Sequence, residues 1–350
     1  MTLNKKTALL SSLLLGALCV LAFLGRDTIS NRLHKELARN DSQASHYQEI
    51  TDQQAEGEPE ETANESLEVN AEASDESHPR HWPLSDFSGL PVGDHIHKIF
   101  DTHGKKFPFI RTIKYRPEVD WISGRSAWLG DYASHYKTSK HLIARSLNGA
   151  PDYETQVLRP GDRFNVFTDA PIRFYMIVDI SRCHLWLYAI NTETQERTFI
   201  KNYPVGLGRI DLSRPSKTLS PLGRYDLGER IGLYKPGKMG FFKSERKEMI
   251  RIIGTRWLPF ERAYPGASNP ARGYGIHGCP WKVDPTVGTL AEDRSTIGQY
   301  TSDGCVRLAQ EDVEEIFAIV ITKPTTVEFV KNFKKAQLFG ETTLAPMEEK

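Results

Sequence analysis

Alternating apolar and polar positions characterise the second half of the chain. Phe174 to Gly208 alternates in the manner of β-strands, with a polar turn at Asn191-Thr192-Glu193. Gln310 to Ile321 instead places apolar side chains at helical spacing and carboxylates in the first turn, where they favour the helix dipole. Thr325 to Val330 returns to a strand pattern. The pattern therefore predicts a strand-rich domain that closes with one helix and one strand.

The region in front of this domain, residues 81–168, has a different pattern. Ser126 to Tyr136 and Ser139 to Leu147 each place apolar groups at helical spacing. Leu158 to Val166 follows as a turn and a strand. These signals predict a small α/β segment that precedes the strand-rich domain.

The N-terminus carries an almost wholly apolar run, residues 8–25, between Lys6 and Arg26. Its length lies between that of a signal-peptide core and that of a full membrane span. Because lysines prefer the cytoplasmic side, we expect residues 1–7 to be cytoplasmic, the run to be an uncleaved anchor, and the remaining chain to be exported. A cleaved signal peptide is the alternative.

Residues 26–80 are polar, acidic and poor in aromatic residues, which predicts a disordered linker. The formal net charge of the whole chain is +0, yet Asp41 to Arg80 contains twelve acidic residues and one basic residue, a local charge of −11. The rest of the chain is therefore basic. The sequence contains no Walker loop, dinucleotide fingerprint or zinc-ligand spacing, and we expect no nucleic-acid partner.

Two short motifs carry the candidate chemistry, Gly275-Ile276-His277-Gly278-Cys279 and Ser302-Asp303-Gly304-Cys305-Val306-Arg307-Leu308. A thiolate attacks carbonyl carbon well, but a free cysteine is mostly protonated at neutral pH. Cys305 is the candidate nucleophile, and His277 is the base that would activate it.

The residues around these two have candidate supporting roles. The amides of Asp303 and Gly304 are placed to meet a developing oxyanion if they line a tight turn. Arg307 has donors suited to a substrate carboxylate, and Gly278 is a second candidate for substrate binding. Ser302 either orients His277 or only shapes the turn.

Both motifs resemble the active-site signature of the L,D-transpeptidase catalytic domain, found in cysteine enzymes that cross-link bacterial peptidoglycan. The likeness extends to Ser220-Pro221-Leu222-Gly223, which matches a Thr-Pro-x-Gly turn of that family, and covers about Phe174 to Val330. The resemblance implies a mainly β fold, a β-sandwich with a C-terminal helix, over residues 169–332, followed by a tail at 333–350. It also implies no metal or cofactor, and acylation by carbapenem-type β-lactams.

Three features depart from the family pattern. Cys279 stands where a small hydroxyl residue is usual, and Asp303 stands where a second histidine is frequent. Pro280 to Tyr300 makes the gap between the two motifs longer than usual, which implies an enlarged loop over the site. None of these changes removes the nucleophile or the base.

The helix–helix–turn–strand order of residues 81–168 resembles a lysin motif, a small fold that binds the glycan of peptidoglycan. A packing subdomain with no ligand of its own is the other interpretation. Between Arg209 and Gly275, many Gly, Pro, Arg and aromatic residues predict loops and short strands that wall a groove. Basic side chains there either meet the carboxylates of peptide stems or form a solvated face.

Export would place Cys183, Cys279 and Cys305 in an oxidising compartment. One expected arrangement is a Cys183–Cys279 disulfide with Cys305 free. The resemblance also allows a Cys279–Cys305 disulfide that silences the enzyme, because the matching family position lies near the nucleophile.

The function implied by the resemblance is acyl transfer in two steps. Cys305 attacks the carbonyl between a diamino acid, the third residue of a tetrapeptide stem, and the terminal D-alanine, and an amine then resolves the thioester. Water as the acceptor would give an L,D-carboxypeptidase, and a lipoprotein lysine is another possible acceptor. A membrane-tethered wall-binding protein with a silent catalytic fold is the competing class. The expected partners are peptidoglycan stem peptides and glycan and, through residues 8–25, the membrane, with the enzyme in the periplasm.

Overall fold

The computed structural model describes residues 82–149, 157–286 and 288–337. The expected anchor at 8–25, the acidic linker at 26–80 and most of the tail at 333–350 lie outside the described residues. Within the described ranges, no helix has the length and apolar character needed to span a membrane.

The described chain is mainly β, as the resemblance implies. The strands are β1 (Ile110–Lys114), β2 (Arg163–Phe167), β3 (Ile172–Asp179), β4 (His184–Asn191), β5 (Arg197–Pro204), β6 (Leu207–Gly208), β7 (Gly223–Leu227), β8 (Gly232–Leu233), β9 (Met239–Phe242), β10 (Glu245–Glu248), β11 (Arg256–Ala263), β12 (Gly275–Gly278), β13 (Trp281–Val283), β14 (Leu290–Glu292), β15 (Tyr300–Ser302), β16 (Val306–Leu308) and β17 (Thr325–Val330). The α-helices are α1 (His97–Phe100), α2 (Leu129–His135), α3 (Lys140–Asn148), α4 (Ile250–Ile253) and α5 (Gln310–Val320), and short 3-10 helices lie at Ile180–Arg182, Arg294–Thr296 and Phe333–Lys335.

The main sheet has the strand order β16-β12-β11-β7-β17-β3-β4-β5, with β8 also paired to β11. Its centre is buried on both faces, because alternate residues of β3 enter different apolar clusters. Phe174 and Met176 belong to one cluster, and Tyr175 and Ile177 belong to another. Burial on both faces suits the nearly continuous apolar sequence of this strand.

Strand β11 joins the centre of the sheet to the end that carries the two motifs. Its first residues pair with β12, and its last residues pair with β7, with a register shift between Phe260 and Arg262. Strand β12 then pairs in parallel with β16. Ile276, Val306 and Leu308 point into the core, so the residues that alternate with them face the other side.

Helix α5 begins at Gln310 as the sequence predicts, ends one residue earlier, at Val320, and has the predicted buried face. Val313, Ile316, Phe317 and Val320 are buried in the main core. The backbone amide of Gln310, at the start of the helix, donates to a carboxylate oxygen of Glu292. A carboxylate at this end also interacts favourably with the helix dipole.

The small segment contains both predicted helices, with α2 shorter than the apolar pattern suggests. The Ser139 hydroxyl caps α3 by accepting from the Leu142 amide (3.0 Å). Strand β1, which the sequence analysis missed, pairs antiparallel with β2, so the order is strand–helix–helix–strand. The segment packs on α5, where Ser139 Oγ donates to the Ala318 carbonyl (2.6 Å) and the His141 ring contacts Phe317.

The expected enlarged loop, Pro280 to Tyr300, contains regular structure. Strands β13 and β14 form a hairpin, and a 3-10 helix follows. Lys282 pairs with Asp293 (2.6 Å), and Arg294 pairs with Glu311 at the start of α5. The insertion is therefore fastened to the helix that supports the two motifs.

Candidate active site

Cys305 directly precedes β16 and is half-buried, at the end of a tight turn. The Ser302 hydroxyl donates to the Cys305 carbonyl (2.7 Å) and accepts from the Gly304 amide (3.1 Å). The Ser302 carbonyl accepts from the Arg209 amide (2.9 Å). These contacts hold the turn that presents the thiol. They are contacts of a turn residue, and an orienting role for Ser302 toward His277 stays a prediction.

Gly304 fits this turn because it has no side chain. Its φ is +124°, and an added Cβ would lie 2.5 Å from Cε1 of Tyr274 and 2.8 Å from the Leu219 carbonyl. The Ser220 hydroxyl donates to the Gly304 carbonyl (3.1 Å) and accepts from the Gly208 amide (2.9 Å). The Ser-Pro-x-Gly turn found in the sequence therefore supports the nucleophile directly.

His277 lies in β12 and is only 4% exposed. Its Nδ1 donates to the Gly278 carbonyl (2.7 Å). Since a carbonyl can only accept, Nδ1 carries the proton and Nε2 is left as the basic nitrogen. Burial, together with the charge of Arg307, lowers the pKa of His277 to about 4, so the imidazole is neutral at neutral pH and able to take a proton.

The strand register brings two of the candidate groups to one side of the sheet. His277 and Arg307 are paired residues of the parallel strands β12 and β16, and paired residues project to the same face. Cys305 directly precedes β16, and its thiol lies within electrostatic reach of the Arg307 guanidinium. A neutral imidazole and a guanidinium thus share one side of the β12–β16 pair, and the thiol lies near the guanidinium.

Arg307 is a partly desolvated cation. Its Nη1 donates to the Thr301 hydroxyl (3.1 Å), and its buried Nε has no hydrogen-bond partner among the described residues. Burial lowers the pKa of the guanidinium. A desolvated donor without a partner is suited to an anionic ligand.

The two remaining predicted residues of the site have contacts of their own. Asp303 is exposed, accepts from Arg209 Nη2 (2.7 Å) and lies 3.9 Å from Lys243 Nζ. Gly278 orients His277 through its carbonyl, a role that the sequence analysis did not assign. The roles of Asp303 at an oxyanion and of Gly278 in substrate binding stay predictions.

Tyr274 is a neighbour of the nucleophile that the sequence analysis missed. Its ring lies against Gly304, and the thiol of Cys305 is 3.7 Å from the carbonyl oxygen of Gly273. The position of Gly273-Tyr274 directly before the first motif was the signal that could have pointed to it.

Cys183, Cys279 and Cys305 are all free thiols. The expected Cys183–Cys279 disulfide is therefore wrong, and the alternative Cys279–Cys305 disulfide that the resemblance allows is not formed either, whereas Cys305 is free as expected. Cys183 lies beside Tyr300, whereas the Cys279 sulfur accepts from the Thr296 hydroxyl (3.3 Å). Burial raises the pKa of Cys183 to about 12 and that of Cys279 to about 11.

The parallel register also separates Cys279 from Cys305. It places Cys305 level with Gly275, four residues before Cys279. Four residues of extended strand span ~13 Å, beyond the limit of about 7 Å between the Cα atoms of a disulfide. The expected proximity of these two cysteines is therefore wrong.

Metal ligands are not clustered in the described ranges, where no group of three or more His, Cys, Asp or Glu side chains could hold an ion. The chemistry that these ranges offer is that of a thiol beside a base and a cation. The absence of a cofactor stays a prediction.

The YkuD family model, described as the L,D-transpeptidase catalytic domain, matches residues 173–329. This span contains His277, Cys305, Arg307 and helix α5, and the match confirms the resemblance for these residues. The search of curated proteins gave no match.

Solved structures similar to this chain include Bd1075 of Bdellovibrio bacteriovorus, at 18% identity and a TM-score of 0.31, covering 47% of this chain and 50% of that one. The helical cell shape determining protein Pgp2 of Campylobacter jejuni has 16% identity and a TM-score of 0.30, and the match covers 49% of this chain and 50% of that one. L,D-transpeptidase 3 of Mycobacterium tuberculosis has 14% identity and a TM-score of 0.24, and the match covers 49% of this chain and 76% of that one. The chain spans about half the length of the first two structures.

Proposed function

We propose that this protein is a peptidoglycan L,D-transpeptidase with Cys305 as its nucleophile and His277 as its general base. The observation that carries the proposal is the placement of neutral His277 and Arg307 on one side of the β12–β16 pair, with the Cys305 thiol near the guanidinium. The proposed substrate is a tetrapeptide stem that ends in a diamino acid and D-alanine.

The first step forms a thioester. Nε2 of His277 takes the thiol proton while the Cys305 sulfur bonds to the carbonyl carbon of the diamino acid, which leaves a tetrahedral oxyanion. Collapse of this intermediate breaks the carbon–nitrogen bond, and His277 returns the proton to the amine of the departing D-alanine. Burial keeps His277 neutral, so its imidazole has a lone pair for the proton, and the imidazolium that forms gives the proton up readily.

The second step transfers the acyl group. An amine of a neighbouring stem attacks the thioester, His277 removes a proton from that amine, and the carbon–sulfur bond breaks to restore the thiol. If the amine belongs to a third residue, the product is a cross-link between two third residues.

The supporting groups of the site would stabilise negative charge on the oxyanion and on the substrate. We assign the oxyanion to backbone amides of the Asp303–Cys305 turn. Because the Gly304 amide already donates to Ser302 (3.1 Å), the amides of Asp303 and Cys305 are the candidate donors that remain. Arg307 is assigned to a stem carboxylate, supported by its unpartnered Nε.

The test incubates the full chain with a disaccharide tetrapeptide and separates the products by chromatography. Free D-alanine together with a dimeric muropeptide supports the transpeptidase. D-Alanine without dimer supports an L,D-carboxypeptidase, in which water resolves the thioester, and a dimer formed only with an added amine supports another acceptor. No product from the wild type, with the same result for Cys305→Ala, contradicts the enzyme and favours the silent wall-binding protein.

A second proposed function, glycan binding, concerns residues 81–168. The strand–helix–helix–strand order is that of a lysin-motif-like unit, and the long connection between β1 and α2 exposes two tryptophans. Trp128 is 67% exposed with the Arg125 guanidinium over its ring, and Trp121 is 38% exposed. Tryptophan rings, which combine an apolar body with a polar N–H, are enriched at interaction surfaces.

Co-sedimentation of the full chain with purified peptidoglycan tests this function. A Trp121→Ala, Trp128→Ala double variant should remain in the supernatant. Met239→Ala, which removes an exposed apolar side chain elsewhere, should sediment like the wild type. Equal sedimentation of the double variant and the wild type contradicts the proposal and leaves the packing role.

The proposed location is the exported side of the cytoplasmic membrane, in the periplasm. It is supported by the apolar run at 8–25 with lysines before it, and by the match of residues 173–329 to a catalytic domain that acts on peptidoglycan. Protease treatment of spheroplasts should digest the chain beyond residue 26, and protection would contradict export.

A further inference from the structure

The segment between Gly208 and Ser220 forms a small hairpin beside the nucleophile turn. Ile210 bridges to Thr218, and the Asp211 amide donates to the Lys217 carbonyl (3.0 Å). Both ends of the hairpin touch Gly304. A Cβ on Gly208 would lie 3.0 Å from the Gly304 Cα, and Ser220 donates to the Gly304 carbonyl.

Arg214 stands at the tip of this hairpin, with its guanidinium held by two neighbours. Its Nε donates to the Asp211 carboxylate (3.1 Å), and its Nη1 lies 3.5 Å from the Tyr274 hydroxyl. When the amide oxygen of Asn269 faces these groups, it accepts from Arg214 Nη1 (3.3 Å) and from the Tyr274 hydroxyl (3.2 Å). The guanidinium is therefore fixed in orientation.

Tyr274 connects this guanidinium to the reacting centre. Its ring lies against Gly304, the residue before the nucleophile, and its hydroxyl lies next to Arg214. One aromatic ring thus separates the guanidinium from the nucleophile turn. In a tetrapeptide stem, only the amide nitrogen and one α-carbon separate the scissile carbonyl from the terminal carboxylate.

Arg214 also retains a donor for a ligand. Its side chain is 35% exposed, and Nη2 makes no hydrogen bond to any residue that the structure describes. Arg209 and Lys243, two other cations near the nucleophile turn, are paired with Asp303. Asp211 offsets part of the charge of Arg214 and holds Nε, while Tyr274 and Asn269 hold Nη1. Nη2 is therefore the donor left for a charge-assisted hydrogen bond to a carboxylate.

We propose that Arg214 binds a carboxylate of the donor stem peptide beside the scissile bond and selects stems in which that carboxylate is free. The inference rests on the proposed function and names one specificity residue for it. The carboxylate belongs either to the terminal D-alanine or to the side chain of the diamino acid. Both present the same chemistry, so the ligands of the test must distinguish them.

The test measures binding by calorimetry in the full chain carrying Cys305→Ala, so that turnover does not interfere. Three ligands are compared: a disaccharide tetrapeptide, the same peptide with its terminal carboxylate amidated, and the same peptide with the side-chain carboxylate of the diamino acid amidated. The full chain that carries only Cys305→Ala is the parent protein. One of the amidated peptides should bind to it about tenfold more weakly than the free acid, because one charge-assisted contact is lost. The amide that weakens binding identifies the carboxylate.

Arg214→Gln should bind the free acid as weakly as the parent binds that amide, and should no longer distinguish acid from amide. Arg214→Lys, which keeps the charge without the fork, should be intermediate. Arg262→Gln is the matched control, since Arg262 is an exposed arginine paired with Asp226 elsewhere on the surface, and it should match the parent.

Two results overturn the inference alone. One is equal weakening of all three ligands by Arg214→Gln, which would indicate a structural role. The other is equal binding of the acid and both amides by the protein that carries only Cys305→Ala. A parent that binds no tetrapeptide overturns the proposed function as well, so the two failures are distinguishable.

Discussion

Cys305 and Cys279 stand at opposite ends of the same strand pair and have opposite surroundings. Cys305 is half-buried, with its thiol near the Arg307 guanidinium. Cys279 is fully buried against the Thr296 hydroxyl, and burial raises its pKa to about 11. Two thiols in neighbouring motifs therefore differ in chemistry because the Cys305 thiol is open to solvent, whereas burial keeps the Cys279 thiol protonated.

The largest expected effect comes from removing each thiol in turn. Cys305→Ala should lower D-alanine release from a tetrapeptide by at least about 10⁴-fold, because no other group can form the thioester. Cys279→Ala, the matched control, should retain nearly all activity. If Cys279→Ala lost activity and Cys305→Ala did not, Cys279 and not Cys305 would be the nucleophile.

The pH dependence of stability sharpens the description of the base. The pKa of His277 is about 4 in the folded chain against an ordinary value of 6.5, so between these pH values the unfolded chain binds more protons. The free energy of unfolding should therefore fall by roughly 3 kcal/mol as the pH is lowered from about 6.5 to below 4.

The control for this measurement is His277→Gln, which cannot bind the proton. The wild-type and variant curves, from denaturant unfolding at a series of pH values, should converge as the pH falls through that window. Parallel curves would show that His277 is not held neutral by burial.

The backbone of the nucleophile turn supplies the next test. Gly304→Ala would place a methyl group against Tyr274 at φ +124°, so the turn must shift and activity should fall about 100-fold. Gly266→Ala is the control, because Gly266 also has positive φ (+88°) but no atom within 4 Å of an added Cβ. It should cost about 1 kcal/mol of stability and leave activity intact. Equal activities in the two variants would contradict the close contact with Tyr274.

The smallest expected effect concerns the buried thiol itself. Cys279→Ala should lower the free energy of unfolding by about 1 kcal/mol, as for the loss of a small apolar group. The Thr296 hydroxyl keeps a partner, because it also lies 3.3 Å from the Asp293 carbonyl. In the wild type, a thiol reagent should modify Cys279 only after unfolding. Rapid modification in the native protein would show that this pocket is open.

The sequence was most informative where local periodicity determines structure. The bounds of β17 and α5 follow from runs of apolar residues whose spacing suits one element only. Strand β1, Ile110–Lys114, was missed because it is short and contains two basic residues. Strand β11 was expected as loops and short strands because Pro259 interrupts it.

For the site, the motifs identified Cys305, His277 and Arg307. They did not identify the contacts that depend on strand register or on residues distant in the sequence. The Gly278 carbonyl orients His277 through backbone geometry, which no side-chain pattern reports. Tyr274 meets Gly304 from thirty residues away in sequence. The sequence left a Cys279–Cys305 disulfide open for the same reason, since only the parallel register shows how far apart these residues lie.

The most direct test of the central claim is the intact mass of the full chain after exposure to a carbapenem under reducing conditions, followed by peptide mapping of the adduct. We predict a single adduct on Cys305 in the wild type and in Cys279→Ala, and none in Cys305→Ala. An unmodified wild type, or an adduct mapped to Cys279, would contradict the assignment of Cys305 as the nucleophile.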